Sequence, residues 1–96
     1  MLPHQSASRE AYEEAGVIGV ISFEPVGIYR QLKQAGDDPT AIISVRAFPL
    51  PVSSELQIWP EMQDRERKWF ALNEALNVVA DREIRNLLEA FRSSLP

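Results

Sequence analysis

The most informative segment of the sequence is REAYEEAGV, which runs from Arg9 to Val17. It contains three glutamates, Glu10, Glu13 and Glu14, at positions i, i+3 and i+4, which share one face of an α-helix. Carboxylates this close repel one another unless a cation lies between them. Hard divalent cations such as Mg²⁺ are commonly held by a few carboxylates together with substrate phosphates. The stretch therefore predicts a helix that carries a metal ion, and it favours phosphate chemistry.

The residues on either side of this stretch indicate where the helix begins and ends. Pro3 suits a first turn, and the side chain of Gln5 or Ser6 can accept hydrogen bonds from the amide groups there. Gly16 stands where the glycine that ends a helix belongs. We therefore predict a helix from Pro3 to Ala15.

The rest of the chain contains segments typical of strands and then of helices, which indicates an α+β domain with a mixed or antiparallel sheet. Residues 49–54 are predicted to break a strand, Trp69 and Phe70 to lie in the core, and Asn73 and Asp81 to cap helices. The predicted elements are strands at 17–26, 27–34 (separate, or a bent extension of the first) and 40–50, a turn at 35–39, a short strand at 65–70, and helices at 72–79 and 81–93.

Length and composition limit the class of protein. Ninety-six residues allow one small domain, over 1–96, and 45% hydrophobic with 25% charged residues is typical of globular chains. A net charge of −4 argues against a protein that coats nucleic acid. The absence of cysteine excludes disulfides and thiolate sites, and a single histidine, His4, excludes a histidine-rich zinc site. Without a membrane-spanning run or a signal-peptide pattern, we expect a cytoplasmic protein.

The stretch from Arg9 to Val17 also resembles the second half of the Nudix box, Arg-Glu-apolar-x-Glu-Glu-x-Gly-apolar, with Ala11 and Val17 at the apolar positions. The first half of that motif would place its glutamate at Met1 and its glycine before the chain begins. The resemblance therefore implies an N-terminally truncated Nudix hydrolase whose early strands are missing. The implied fold is an incomplete Nudix-type α/β/α sandwich, in which a mixed sheet lies between the box helix and the C-terminal helices.

The resemblance implies a Nudix pyrophosphohydrolase, which is a metal-dependent hydrolase of pyrophosphate linkages in nucleoside- or inositol-diphosphate-type substrates. It implies Mg²⁺ or Mn²⁺ as the cofactor and a small phosphorylated molecule as the substrate, with no membrane partner. By this resemblance Glu10, Glu13 and Glu14 bind the metal, and one of them orients the attacking water. Arg9 lies four residues before Glu13 and is expected to hold that carboxylate in place.

Residues 59–70 extend the resemblance. In similar Nudix hydrolases a loop before a comparable Trp-Phe strand supplies a further glutamate near the metal. Glu61 and Glu66 are both candidates for it, and Glu66 is included in the predicted ligand set while the choice stays open. The pattern resembles the subgroup of diphosphoinositol polyphosphate and diadenosine polyphosphate hydrolases at Trp59, Glu61, Arg65 and Trp69.

Basic side chains are the candidates for binding substrate phosphates. We predict Arg30, Arg46 and Arg65 for this role, and the further candidates are Lys33, Arg67 and Lys68. The alternative function is a catalytically inactive Nudix remnant that acts as a binding or interaction module. Without the early strands the sheet would expose its edges and apolar surface, which also predicts a homo-oligomer joined through those edges.

Overall fold

A computed structural model describes residues 1–32 and 41–95 of the chain. In this part of the chain helices and strands are both present, which confirms the α+β class. The elements are α1 (Pro3–Ala15), β1 (Val17–Gly19), β2 (Gly27–Leu32), β3 (Ile42–Ala47), β4 (Val52–Glu55), α2 (Leu72–Val78) and α3 (Arg82–Ser94). The predicted turn at 35–39 lies outside the described residues.

The chain divides into two compact units. The first, which we call the box unit, comprises Met1–Pro25 and Phe48–Trp69, and the second unit comprises Val26–Ala47 and Phe70–Pro96. The single domain over 1–96 stays a prediction. No helix of the described residues is long and apolar enough to cross a membrane.

In the box unit, α1 has the predicted bounds. Gly16 ends it in the left-handed conformation, with φ 64° and ψ 34°, and Gln5 Oε1 accepts a hydrogen bond from the Leu2 amide at its start (2.9 Å). Strand β1 follows at once and pairs antiparallel with β4, so that Val17 lies opposite Glu55. Val17 is buried, with 8% of its surface exposed, and it forms the centre of this small unit.

Strand β1 ends at Gly19, although we predicted a strand over 17–26. The register between β1 and β4 shifts between Ile18 and Gly19, and a Cβ atom on Gly19 would collide with the Pro51 carbonyl. Pro51 has no amide hydrogen to donate, so the ladder cannot continue past this point. The partner strand β4 lies partly within 49–54, a stretch that we predicted only as a break.

In the second unit, β2 and β3 form an antiparallel pair from Gly27 opposite Ala47 to Leu32 opposite Ile42. The strand predicted at 27–34 is therefore a separate strand and not a bent extension of the first, because β2 pairs with β3 while β1 pairs with β4. Helix α3 contacts β2, since the Arg30 amide donates to Glu83 Oε2 (2.6 Å). Gly27 is the point of closest approach, because a Cβ atom there would collide with the Leu87 side chain.

The caps of α2 and α3 differ from each other. Asp81 caps α3 as predicted, because its Oδ1 accepts hydrogen bonds from the amides of Glu83 (2.9 Å) and Ile84 (3.2 Å). Asn73 does not cap α2, which begins after Ala71 without a side-chain cap. The Asn73 Oδ1 instead accepts a hydrogen bond from Arg92 (3.3 Å), and this bond joins α2 to α3.

We predicted a mixed or antiparallel sheet, and both strand pairs among residues 1–32 and 41–95 are antiparallel. Parallel neighbours require a long crossover connection, whereas only nine residues join β2 to β3.

Residues 65–70 form no strand, contrary to our prediction, and neither aromatic residue there belongs to a core. Trp69 is 59% exposed and Phe70 is 38% exposed. The Trp69 indole nitrogen donates to the Glu55 carboxylate, so this segment contacts β4 through side chains and not through a backbone ladder.

Candidate functional site

The C-terminal end of α1 is covered by the segment that follows β4. The last carbonyls of any α-helix lack partners within the helix and need donors from elsewhere. Here the Leu56 amide donates to the Gly16 carbonyl (2.8 Å), and the Glu61 amide donates to the Glu13 carbonyl (2.9 Å). These two bonds hold residues 56–61 against the end of the helix that carries the glutamates.

Trp59 fills the space beside Gly16. A Cβ atom on Gly16 would lie 2.8 Å from three atoms of the indole ring, so a glycine is needed here for space as well as for its positive φ. The indole Nε1 donates to the Glu14 carbonyl (3.0 Å), which satisfies another of the last carbonyls of α1. Trp59 therefore packs against the C-terminal end of α1.

Arg67 completes this end of the helix. One of its guanidinium nitrogens donates to the carbonyls of Ala15 (2.9 Å), Gly16 (3.3 Å) and Leu56 (3.0 Å). Its guanidinium also stacks 4.5 Å from the centroid of the Trp59 ring, and only 20% of its side chain is exposed. A positive charge is favourable at a helix C-terminus. These contacts make Arg67 a structural residue, although its charge had made it a candidate for phosphate binding.

Two arginines contact the carboxylates on α1. Arg9 Nε donates to Glu13 Oε1 (2.6 Å), which is the contact that the sequence predicted for this pair. Arg65 Nη2 donates to Glu14 Oε1 (2.7 Å), and Arg65 Nε lies 3.3 Å from Glu61 Oε1. Arg65 therefore joins a carboxylate of the box helix to a carboxylate that lies 47 positions further along the chain (61 − 14).

Glu61 is the loop glutamate that the structure connects to α1. Its amide is bonded to the Glu13 carbonyl, and its carboxylate shares the Arg65 guanidinium with Glu14. Glu66, which we included in the predicted ligand set, is exposed in the irregular segment that follows. Its role as a ligand stays a prediction, and the geometry supports Glu61 as the alternative that the sequence left open.

The donor chemistry of this site suits Mg²⁺ or Mn²⁺, because the side chains offer carboxylate oxygens only. Within residues 1–32 and 41–95, however, no three acidic or histidine side chains lie close enough together to hold one ion. Glu13 contacts Arg9 and Glu14 contacts Arg65, while Glu10 is exposed on the same helix. The part of the site in which two carboxylates already share one cation is formed by Glu14 and Glu61.

The predicted phosphate-binding arginines lie in both units. Arg30 is on β2 and Arg46 is on β3, where Arg46 pairs with Ile28. Because Ile28 precedes Arg30 by two positions, both arginines lie on one face of this strand pair. Both are exposed. Arg65 lies in the box unit and contacts Glu14, and the sequence did not predict this contact.

Sequence reasoning also missed the roles of Trp59 and Arg67. A helix end that is covered by other parts of the chain needs hydrogen-bond donors. This need indicates that some donors must contact the end of α1. It does not show which donors are used, because many exposed residues of the following 50 positions carry an N–H group.

Comparison with known proteins gives a consistent set of relatives. No protein-family model matches the chain. Among curated proteins of Arabidopsis thaliana, it is 37% identical over 92 residues to Nudix hydrolase 13, mitochondrial, covering 91% of this chain and 46% of that protein. It is 39% identical over 87 residues to Nudix hydrolase 21, chloroplastic, with coverages of 91% and 42%. For Nudix hydrolase 4 the identity is 37% over 87 residues, with coverages of 91% and 40%.

The chain spans less than half the length of these curated relatives. The similarity nevertheless covers nine-tenths of the chain itself, far more than the nine residues from Arg9 to Val17. The motif that the structure places on α1 and these extended similarities agree, and the chain belongs to the Nudix hydrolase family.

Proposed function

We propose that this chain acts in the metal-dependent hydrolysis of pyrophosphate linkages, in substrates of the nucleoside- or inositol-diphosphate type. The main support for the proposal is that Glu14 and Glu61 both contact the guanidinium of Arg65, at the end of the helix that bears the box glutamates. Family membership supports the reaction class, since the relatives are named as Nudix hydrolases.

In this proposal Mg²⁺ or Mn²⁺ is held by Glu10, Glu13 and Glu14 together with a loop glutamate, Glu61 or Glu66. Such an ion, when bound, neutralises phosphate charge and activates water. The remaining side chains of the site position these carboxylates. Arg9 holds Glu13, and the contacts of Trp59 and Arg67 fix the end of α1, so the spacing between the helix and residue 61 is kept.

The substrate is a small phosphorylated molecule in this proposal. Arg30 and Arg46 present two guanidinium groups on one face of the β2–β3 pair, and guanidinium groups bind phosphates in a bidentate manner. The diphosphoinositol and diadenosine polyphosphate classes rest on the sequence pattern between Trp59 and Trp69. A cytoplasmic location, and a homo-oligomer joined through strand edges, belong to the same proposal.

The direct test is a hydrolysis assay of the chain with diadenosine polyphosphates, nucleoside diphosphate sugars and diphosphoinositol phosphates. Each substrate is incubated with Mg²⁺, with Mn²⁺ and with EDTA. We expect metal-dependent cleavage of at least one substrate, and we expect Glu14→Gln to lower the rate by about tenfold or more, because it removes a metal ligand. Glu24→Gln removes the same charge from an exposed loop of the box unit and serves as the control.

Failure of all three substrates would reject the enzyme, and the binding-module alternative would then take its place. Full activity of Glu14→Gln would reject Glu14 as a metal ligand. One observation favours that alternative, which is that Arg9 and Arg65 already neutralise Glu13 and Glu14. It predicts equilibrium binding of a non-hydrolysable diphosphate analogue without turnover of the matching substrate.

A further inference from the structure

We infer that Arg65 is an internal counter-cation of the carboxylate site, which competes with the divalent ion for Glu14 and Glu61. Its guanidinium lies between these two carboxylates, and it leaves Glu14 when an ion binds there. The inference rests on the proposed function, because it requires Glu14 to be a metal ligand.

The contacts of Arg65 are those of a cation shared by two anions. Its Nη2 atom lies 2.7 Å from Glu14 Oε1, and its Nε atom lies 3.3 Å from Glu61 Oε1. The guanidinium thus uses one oxygen of each carboxylate and neutralises charge that would otherwise attract a metal ion. A divalent ion that binds the same pair brings a second cation into this space, and like charges at such short range repel.

Arg65 is also able to leave, which distinguishes it from Arg67. The Arg65 side chain is 51% exposed, and its partners Glu14 and Glu61 are 41% and 36% exposed. Ion pairs with this exposure are weak, because water and salt screen them. Arg67 is 20% exposed and donates to three carbonyls, so it stays with the helix end.

The test is the affinity of the chain for Mn²⁺, measured at fixed ionic strength by the electron paramagnetic resonance signal of the free ion. Arg65→Gln should bind Mn²⁺ more tightly than the wild type, by roughly three- to tenfold, since one nearby positive charge is removed. Arg82→Gln is the matched control, because it removes the same charge from the first turn of α3 in the second unit. It should change the affinity by less than about twofold, since the cation that Glu14 and Glu61 share is Arg65.

A second measurement follows Arg65 without any substitution. The Nε–Hε signal of Arg65 in a nitrogen–proton correlation spectrum, assigned with Arg65→Gln, should move on addition of Mg²⁺ towards the position of exposed arginines. The signal of Arg67 should stay in place, because its Nε atom lies 3.6 Å from Glu55 Oε1 and its Nη1 atom donates to backbone carbonyls, and none of these partners belongs to the proposed metal site.

Each outcome decides the inference. If the wild type binds Mn²⁺ through Glu14, as a loss in Glu14→Gln shows, and Arg65→Gln binds no more tightly, the inference fails while the metal site stands. An equal gain in Arg82→Gln also overturns it, because the effect would then be one of net charge. If neither the wild type nor Arg65→Gln binds Mn²⁺, the metal site of the proposed function and the inference fail together.

Discussion

The end of α1 and the start of α3 are held in different ways. Helix α3 is capped from within, because Asp81 accepts hydrogen bonds from the amides of Glu83 and Ile84, two and three residues ahead. The end of α1 depends on donors that lie at least 40 positions away in the sequence, namely Leu56, Trp59, Glu61 and Arg67. The difference shows that this chain uses long-range contacts at the helix that bears its candidate site.

The long-range contacts have a consequence that a local cap lacks. The same segment that satisfies the carbonyls of α1 carries Glu61 and Arg65, so holding the helix end also brings these side chains to Glu14. Substitutions at the two helix ends therefore separate local from long-range stabilisation.

The largest effect is expected for Gly16→Val. A β-branched residue is strained at φ 64°, and its Cβ atom would meet the Trp59 ring. Together these terms should lower the free energy of unfolding by about 3 kcal/mol or more. Urea unfolding followed by circular dichroism measures the loss. Gly16→Ala in a Trp59→Leu background keeps the backbone strain and removes the clash. It should therefore lower the free energy of unfolding of the Trp59→Leu protein by less than Gly16→Ala lowers that of the wild type. Equal losses in the two backgrounds would show that the ring does not lie against Gly16.

The second-largest effect is expected for Arg67→Met. It should lower the free energy of unfolding by about 2 kcal/mol, because three carbonyls lose a charged donor. The matched control is Arg85→Met in α3, since Arg85 donates to a single carbonyl, that of Val79 (2.6 Å). Arg85→Met should lower the free energy of unfolding by less than about 1 kcal/mol. Similar losses in the same unfolding measurement would mean that Arg67 does not hold the end of α1.

Asp81→Ala should cost about 1 kcal/mol, the usual contribution of a helix N-cap. Asp81→Asn should retain most of this stability, because the amide oxygen can accept the same two hydrogen bonds. Thermal unfolding of the two variants, side by side, measures the difference. If neither Asp81→Ala nor Asp81→Asn lowers the stability, then the cap contributes nothing and α3 is held by other contacts.

The smallest effect is expected for Arg65→Gln, which should change stability by less than about 1 kcal/mol, because its ion pairs are exposed. The change should shrink further in high salt. Unfolding at low and high salt tests both statements. A loss as large as that of Arg67→Met would show that Arg65 holds the fold and is not free to leave Glu14.

The same contrast explains what the sequence could predict. The bounds of α1, its glycine end and the Asp81 cap are indicated by residues within four positions of each, and the structure has them where we predicted. The contact between Arg9 and Glu13 is of this local kind as well. The strand β1 is short because Pro51 lies opposite its end, and no local pattern contains that information.

The two tryptophans illustrate the limit of sequence reasoning most clearly. Both are large apolar residues, and we assigned Trp69 to the core, yet Trp69 is 59% exposed and Trp59 packs on Gly16. Their environment depends on which loop covers the end of α1. The pairing of Arg65 with Glu14, 51 positions apart, was inaccessible for the same reason.

The most direct test of the account is a double-mutant cycle between Glu14 and Glu61, with Mn²⁺ affinity as the measured quantity. The covered end of α1 brings these two carboxylates to one cation. We expect Glu14→Gln and Glu61→Gln each to weaken Mn²⁺ binding. The fold loss of affinity in the double variant should be smaller than the product of the two single fold losses, by a factor of about three or more, because the effects of coupled residues are not additive. If Glu61→Gln binds Mn²⁺ as tightly as the wild type, or if the loss in the double variant equals the product of the two single losses, then Glu14 and Glu61 do not bind one ion together.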